Sequence, residues 1–433
     1  MNPTDCPYVD CQQDIEATAE ECPTCKQWLK RCGKCLTPNR SFANFCRFCG
    51  EPLPGSNESW SGCKGDIQRR ALNRFVIPHS PPDLEVTEIQ STEFSGRCGS
   101  ILADDGYLIA VSENGIIKVM DLNRLEKGPY TFMTDGNIYA EPALHNGTLY
   151  VGTIKSENQE KGSIFAYTLG GISLNPPEVV PRWNMDLKGT PVQALLTFAD
   201  RLYLNMGFKD GHREVHIIDN IKGTKPIGPV CVYSGGLSST LAADPFTRKV
   251  FFLSESSDRL FINMFDHSLG TAPEMMSIQV KDAPSGLQDY IPIAVLGAKL
   301  FAVFGENKEL CRLDVHNKNF ETKITNWVRK FAVPSISKQI IINSRGVFST
   351  PDGIQENLMG GESVVSGPVV LRDRAIVVGL RDGKIRFYNL NKLSIHNETQ
   401  VFHASERVQT MAAYQNIIAV GNQKGKVKLL QLT

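Results

Sequence analysis

The sequence predicts an all-β protein, because short strand-like segments separated by turn residues recur over most of its 433 residues while helical periodicity is scarce. Residues 366–390 are the clearest example and read as three strands joined by tight turns. Residues 375–379 form an unbroken apolar run, which is typical of a strand buried on both faces. The following Asp382-Gly383 predicts a hairpin turn, since glycine adopts the positive φ that such a turn requires.

The same arrangement of second strand, turn and third strand recurs in seven copies, at spacings of roughly 40–50 residues with one longer gap. That spacing suits four-stranded propeller blades, and seven such units contain too many strands for one β-sandwich. We therefore predict a seven-bladed β-propeller over residues 84–433. The predicted second strands are residues 107–111, 148–152, 201–204, 249–253, 299–303, 375–379 and 416–420. The predicted third strands are residues 116–121, 163–167, 215–219, 259–263, 309–313, 384–389 and 426–430.

The seventh copy ends with its third strand, so a propeller would need an outer strand from elsewhere to close its ring. Residues 84–89 alternate apolar and polar side chains and read as a strand. We predict that a strand within residues 75–95 pairs beside residues 426–430.

The longer gap lies between Leu313 and Pro368. It contains two strand-like runs, residues 339–343 and 346–350, before a polar segment. We expect part of it to supply the outer strand of the fifth blade, and the rest to form an extra hairpin or a surface loop that could carry a partner.

The charge composition disfavours binding of the whole chain to nucleic acid or to a membrane surface. The 46 basic and 46 acidic residues give no net charge, so the whole chain lacks the electrostatic footprint of a nucleic-acid or membrane-surface protein. No signal peptide and no apolar run long enough to span a membrane is visible, which predicts a soluble protein of the cytoplasm. Residues 52–83 read as a linker, rich at the start in proline, glycine and serine.

Eight of the twelve cysteines precede residue 50, and this clustering predicts a metal-stabilised module over residues 1–51. A Cys-x2-Cys turn brings two thiolates onto one ion, and two such turns complete a tetrahedral zinc site. Pairing in sequence order gives two structural Zn²⁺ ions. No histidine occurs before His79, which disfavours a catalytic zinc with an open position. The predicted ligands are Cys6, Cys11, Cys22 and Cys25 for one ion, and Cys32, Cys35, Cys46 and Cys49 for the other.

This module resembles a double zinc ribbon of the kind fused to many bacterial and archaeal regulatory proteins. The second half, from Cys32-Gly33-Lys34-Cys35 to Cys46-Arg47-Phe48-Cys49, matches that pattern closely. The first half departs from it, because four residues separate Cys6 from Cys11. A cross-braced alternative would place Cys6, Cys11, Cys32 and Cys35 on one ion.

The repeats are similar to those of PQQ-like and WD40-like propellers over about three quarters of the chain. The Gly-His and Trp-Asp signatures of WD40 blades are missing, and Trp183 and Trp327 do not fall at equivalent repeat positions as tryptophan-docking motifs require. The resemblance therefore implies the fold without implying quinone-dependent oxidation. His212 and His216 have the spacing of a helical metal pair, but they read as loop and strand residues.

We therefore expect a non-enzymatic interaction scaffold in a cytoplasmic regulatory or signalling assembly, with protein partners on the propeller and on the zinc ribbons. One alternative is a nucleic-acid adaptor that grips phosphates through its basic second ribbon. Another is a propeller enzyme with its site in the central channel. The basic residues of the second ribbon are Lys30, Arg31, Lys34, Arg40 and Arg47.

Overall fold

The chain divides into two compact units, Met1–Glu58 and Ser59–Thr433, and the division falls inside the predicted linker. The computed structural model describes residues 29–32, 36–40, 72–73 and 85–433. The last range has gaps at 105–106, 123, 146–147, 156–160, 170–178, 199–200, 209–211, 220–226, 234–238, 245–246, 257–258, 268–273, 281–292, 297–298, 305–307, 316–318, 326–327, 333–337, 344–345, 352–355, 360–363, 372–374, 390–394 and 415.

In the first unit, the described residues form a small antiparallel hairpin. Strand β1 (Leu29–Arg31) pairs with β2 (Pro38–Arg40), with Leu29 opposite Arg40 and Arg31 opposite Pro38. The six residues between the strands include the first Cys-x2-Cys pair of the predicted second ribbon.

In the second unit, the described strands form eight sheets of at least four strands each, antiparallel except where β3 joins β30. Two strands precede the first sheet, β3 (Leu72–Asn73) and β4 (Val86–Glu93). Sheet 1 contains β5 (Cys98–Asp104), β6 (Tyr107–Ser112), β7 (Ile116–Asp121) and β8 (Tyr130–Met133). Sheet 2 contains β9 (Asn137–Ile138), β10 (Ala143–His145), β11 (Thr148–Ile154), β12 (Gly162–Thr168) and β13 (Pro181–Asp186). Sheet 3 contains β14 (Thr190–Phe198), β15 (Arg201–Gly207), β16 (Arg213–Asp219) and β17 (Ile227–Tyr233).

The remaining sheets repeat this order. Sheet 4 contains β18 (Ala242–Asp244), β19 (Lys249–Ser256), β20 (Arg259–Asp266) and β21 (Glu274–Gln279). Sheet 5 contains β22 (Ala294–Leu296), β23 (Lys299–Phe304), β24 (Glu309–Asp314) and β25 (Asn319–Thr325). Sheet 6 contains β26 (Val328–Ala332), β27 (Lys338–Asn343), β28 (Gly346–Pro351) and β29 (Glu356–Met359). Sheet 7 contains β30 (Val364–Leu371), β31 (Ala375–Leu380), β32 (Lys384–Asn389) and β33 (Ile395–Gln400). Sheet 8 contains β34 (Val408–Tyr414), β35 (Ile417–Asn422) and β36 (Lys426–Leu432), joined by β4.

The predicted number of seven repeats is wrong, because the structure contains an eighth sheet in the longer gap. The runs expected there as an extra hairpin or loop are β27 and β28, the second and third strands of sheet 6. The outer strand of the fifth sheet is β25, which precedes both. The sequence between β27 and β28 is Ser344-Arg345, without the Asp-Gly or Asn-Gly signal found in several other repeats.

The sheets follow one another around a ring, which is the arrangement of a β-propeller. The first strands contact each other from sheet 1 to sheet 5 and from sheet 6 to sheet 8, as β5 does with β10 and β26 does with β30. Strand β34 of the last sheet contacts β5 of the first. Apolar side chains fill the spaces between sheets, and one continuous core joins sheets 7, 8 and 1. The seven predicted second strands all coincide with strands of the structure.

The ring closes through the predicted pairing of an early strand with the last one. Strand β4 pairs antiparallel with β36, with Glu93 opposite Lys426 and Val86 opposite Leu432. Glu85 and Thr433 extend this ladder by two backbone hydrogen bonds of 3.0 and 3.1 Å. Residues more than 300 positions apart are thereby held in one sheet, which ties the two ends of the propeller together.

A repeated glycine turn fixes the connection from one sheet to the next. In sheets 1, 7 and 8, the turn between second and third strands contains a glycine at positive φ, and its carbonyl accepts the N–H of the residue that follows the outer strand. A side chain on these glycines would collide with backbone of the same connection. The three bonds are Gly115 with Thr134 (2.9 Å), Gly383 with Val401 (3.1 Å) and Gly425 with Phe94 (3.1 Å).

Among the described residues, none of the helical segments has the length and apolar character needed to cross a bilayer.

Candidate functional sites in the two units

Backbone hydrogen bonds join the two ends of the segment that connects β1 to β2. The N–H of Leu36 donates to the carbonyl of Cys32 at 3.0 Å, and the N–H of Cys32 donates to the carbonyl of Thr37 at 3.2 Å. Leu36 has a φ of 57°, so the chain reverses tightly just after the second cysteine of the pair. Cys32 is fully buried, whereas the Leu36 side chain is 61% exposed.

Thiolate chemistry suits this turn to zinc, since Zn²⁺ in structural sites takes cysteine sulfur ligands at a tetrahedral centre. The backbone bonds across the turn fit the Cys-x2-Cys spacing of the predicted second ribbon. Cys32 is the one predicted ligand that falls within the described residues. The other seven lie outside them: Cys6, Cys11, Cys22, Cys25, Cys35, Cys46 and Cys49.

The histidine pair singled out in the sequence lies on one face of a strand. Glu214 and His216 belong to β16, and His212 precedes the strand by one residue. The Nε2 atom of His216 lies 2.6 Å from Glu214 Oε2, and that of His212 lies 3.4 Å from Glu214 Oε1. The ring of His212 stacks on Phe208, with centroids 4.1 Å apart. The loop-and-strand interpretation is confirmed, and the shared carboxylate gives both imidazoles a structural partner.

Another histidine, His267, is buried between sheets 3 and 4. The hydroxyl of Tyr203 in β15 forms a hydrogen bond with Nε2 of His267, which directly follows β20. The ring of Phe198 packs edge-on against the imidazole, with centroids 5.5 Å apart. Burial, helped by the positive charge of Arg201, lowers the pKa of His267 to about 4. His267 is therefore a neutral part of the core at physiological pH.

Charged side chains surround the glycine turn of sheet 8. Glu406 is buried in the connection from sheet 7 and accepts a hydrogen bond from the Asn422 amide at 3.1 Å. Lys424 and Lys426 lie 3.4 and 3.3 Å from its carboxylate, with their side chains 54% and 40% exposed. The Asn422 side chain also accepts the backbone N–H groups of both lysines. The surface around the glycine turn of sheet 8 thus presents charged side chains on a backbone that the Asn422 side chain fixes by hydrogen bonds.

Sequence reasoning did not identify the buried polar residues between sheets 3 and 4. The Asn205 amide donates to the carbonyl of Ser239 at 3.3 Å, and the Ser239 hydroxyl accepts the N–H of Leu253 at 2.7 Å. These residues are serines and asparagines inside apolar runs, an interruption of the strand pattern that is visible in the sequence. Their partners are distant along the chain, so the pattern alone does not reveal the contact.

Within the part of the chain that the structure describes, no three His, Cys, Asp or Glu side chains are grouped so that they could hold a metal ion. The buried cysteines in the described part of the propeller do not belong to any such group. Burial and the charge of Glu113 raise the pKa of the Cys98 thiol, which is the state of a packing residue and not of a reactive one.

Comparison with known proteins gives the fold. No protein-family model matches the chain, and no curated protein matches it in sequence. BamB from Moraxella catarrhalis is similar in structure with a TM-score of 0.55 and 16% identity, over 80% of this chain and 98% of that one. A europium-containing methanol dehydrogenase matches with a TM-score of 0.59 and 10% identity, over 86% and 98%. Quinohemoprotein alcohol dehydrogenase from Comamonas testosteroni matches with a TM-score of 0.58 and 10% identity, over 86% and 80%.

These similarities confirm the β-propeller fold that the repeats implied. At such low identity they concern the fold alone, because one propeller architecture carries unrelated functions. Trp183 lies in β13, where its ring contacts Tyr150 with centroids 6.0 Å apart, and it serves there as an inter-strand packing residue.

Proposed function

We propose that this protein is a non-enzymatic interaction scaffold in which a zinc-stabilised cysteine module and a β-propeller each bind a protein partner. The observation that carries the proposal is the pairing of two compact units of different kinds in one chain, one with a cysteine hairpin and one with a ring of sheets. Two contacts of modest strength on linked modules give an avidity that exceeds either contact alone.

In the first unit, two structural Zn²⁺ ions are held by the eight clustered cysteines, paired in sequence order. A module of about fifty residues buries little apolar surface, and structural zinc contributes roughly 10–16 kcal/mol per site in finger peptides near neutral pH. Thiolate ligands also require a reducing compartment, which is why we place the protein in the cytoplasm.

In the second unit, the surface that carries the glycine turns is suited to protein partners. Its turn backbones are hydrogen-bonded to the sheet connections, so the side chains at the turns are held in place. Acidic and basic groups alternate there, as Glu113 with Arg97 and Asp382 with Lys384 do, each pair within 3.6 Å. Mixed charge on a rigid backbone favours protein partners over a phosphate backbone, which selects for uniformly basic surfaces.

The zinc content of the full-length chain tests the first half of the proposal. We expect two Zn²⁺ per chain by inductively coupled plasma mass spectrometry, and one in Cys32→Ser/Cys35→Ser. Cys98→Ser is the matched control, since Cys98 is a buried thiol of the propeller, and it should leave two. Zinc content that does not respond to the Cys32 and Cys35 substitutions would contradict the ribbon.

Affinity capture from native lysate tests the second half. The intact chain, Cys32→Ser/Cys35→Ser and a charge reversal at Lys424 should each be compared with and without nuclease. We expect each variant to lose a different set of partners, in a way that nuclease does not change. Capture that nuclease abolishes, and that falls steeply with salt, would support the nucleic-acid adaptor instead.

A further inference from the structure

Sheet 7 carries an additional strand on the side that faces the centre of the ring. Strand β3 pairs in parallel with β30, the first strand of that sheet, with Leu72 opposite Val370 and Asn73 opposite Leu371. Because β30 contacts the first strands of the neighbouring sheets, its other edge faces the central channel of the propeller. In the described part of the chain, sheet 7 is the one sheet extended in this way.

The edge that β3 occupies offers backbone groups as its means of recognition. The side chains of Val369, Val370 and Leu371 are all buried, at 1% exposure or less, in the apolar core that joins sheets 7, 8 and 1. What this stretch of β30 presents towards the channel is therefore its row of N–H and C=O groups. An unpaired edge of this kind binds an extended peptide by main-chain hydrogen bonds.

The length of the chain does not force β3 into this position. Twelve residues separate Asn73 from the start of β4. Strand β4 is the outermost of the four strands of sheet 8. Four strands at about 4.8 Å span less than 20 Å. Twelve residues reach about 40 Å when extended. The connection has length to spare, so the pairing of β3 reflects an affinity of β30 for an additional strand.

We propose that the channel-facing edge of β30 is a binding site for an extended peptide, and that Leu72–Asn73 is its intramolecular occupant. A protein partner that inserts an extended segment at this edge must first displace β3. The inference rests on the proposed scaffold function and names the chemistry of one of its contacts, which is the addition of a strand by backbone pairing.

Hydrogen exchange on the full-length protein tests whether β3 protects β30. Leu72→Pro/Asn73→Pro removes the donors of β3 without touching the propeller sheets. We expect the channel-facing amides among Val369–Leu371, where β3 pairs, to exchange at least tenfold faster, while β31 and β35 are unchanged. A proline pair at Ser56 and Asn57, in the predicted linker, is the matched control and should change nothing. Unaltered exchange in β30 would overturn the occupant.

A peptide added in trans tests whether the edge is a binding site. A fluorescent peptide of residues 67–77 should bind the Leu72→Pro/Asn73→Pro chain at least tenfold more tightly than the unchanged chain, where the tethered copy competes at high effective concentration. A scrambled peptide of the same composition controls for its three arginines. Equal binding to both proteins, or equal binding of the scrambled peptide, would overturn the site. Both measurements use purified components, so they can fail while the zinc and partner experiments succeed.

Discussion

The packed interfaces between neighbouring sheets of the propeller, which we call seams, are of two kinds. The seams that join sheets 7, 8 and 1 are mainly apolar, and the sheets approach each other closely there. Gly379 lies against Val408 of the next sheet, and Gly421 lies against Cys98 of the one after. At each glycine an added Cβ would meet the neighbouring side chain at less than 3 Å, so the absence of a side chain sets the spacing of these sheets.

The seam between sheets 3 and 4 is instead partly polar. Tyr203 and His267 are hydrogen-bonded inside it, and Asn205 reaches the carbonyl of Ser239 across it. These groups are buried, so each needs its partner to avoid the cost of an unsatisfied polar atom. The comparison teaches that one fold tolerates two kinds of seam, one that depends on shape and one that depends on hydrogen bonds and protonation state.

The largest expected loss of stability follows from substituting a glycine where sheets 8 and 1 are joined. In Gly425→Ala the new Cβ collides with the carbonyl oxygens of Phe94 and Gly96, and the residue keeps a φ of 89°. Strained backbone and overpacking each cost about 1–3 kcal/mol, so we expect a loss of about 4 kcal/mol in urea unfolding.

Gly128→Ala is the matched control for that variant. Gly128 also has a positive φ, 69°, but nothing lies within 4 Å of its Cβ position. It should lose only the backbone part, about 2 kcal/mol. Equal losses in the two variants would show that the contact with the sheet connection contributes nothing.

The next effect concerns the polar seam and depends on pH. The pKa of His267 is about 4 in the folded protein, below its ordinary value of 6.5, so the folded state binds fewer protons between these values. The neutral imidazole therefore contributes stability that is present above about pH 6.5 and is lost as the pH falls towards 4. Between pH 7 and pH 5 we expect this residue to lower the free energy of unfolding by roughly 2 kcal/mol.

His267→Gln isolates this contribution, because glutamine keeps a hydrogen-bonding side chain and does not titrate. The wild type should lose roughly 2 kcal/mol more than this variant between pH 7 and pH 5. His403→Gln, at an exposed histidine, should retain the pH dependence of the wild type. If the pH dependence of stability in His267→Gln equals that of the wild type, the imidazole binds its proton equally well in the folded and unfolded states.

The smallest effect concerns the charges at the glycine turn of sheet 8. Lys424→Ala removes one cation from Glu406, which keeps Lys426 and the Asn422 amide. Because the Lys424 end of the pair is solvent-exposed and Glu406 keeps two other partners, we expect a loss of about 0–1 kcal/mol that 0.5 M salt reduces. A loss as large as that of Gly425→Ala would mean that charge, and not close backbone packing, holds this connection.

The sequence by itself determined the all-β class, the seven repeats with clear second strands, the closing pair of β4 with β36 and the clustering of the cysteines. These features are local: period-two alternation, Gly turns and Cys-x2-Cys spacing are set by neighbours in the chain. Ring closure follows from them, because a sheet that lacks its outer strand must obtain one. The zinc ligation stays a prediction.

Only the tertiary structure decided the eighth sheet, the polar seam and the strand in the channel. The sequence between β27 and β28 has no Asp-Gly or Asn-Gly signal, so the repeat is recognisable there only from its pairing with β26 and β29. Which faces of two sheets meet is set by packing between residues distant in sequence, as for Asn205 and Ser239. The position of β3 depends on an unpaired backbone edge, and backbone groups are the same for every residue except proline, so side-chain patterns carry no record of it.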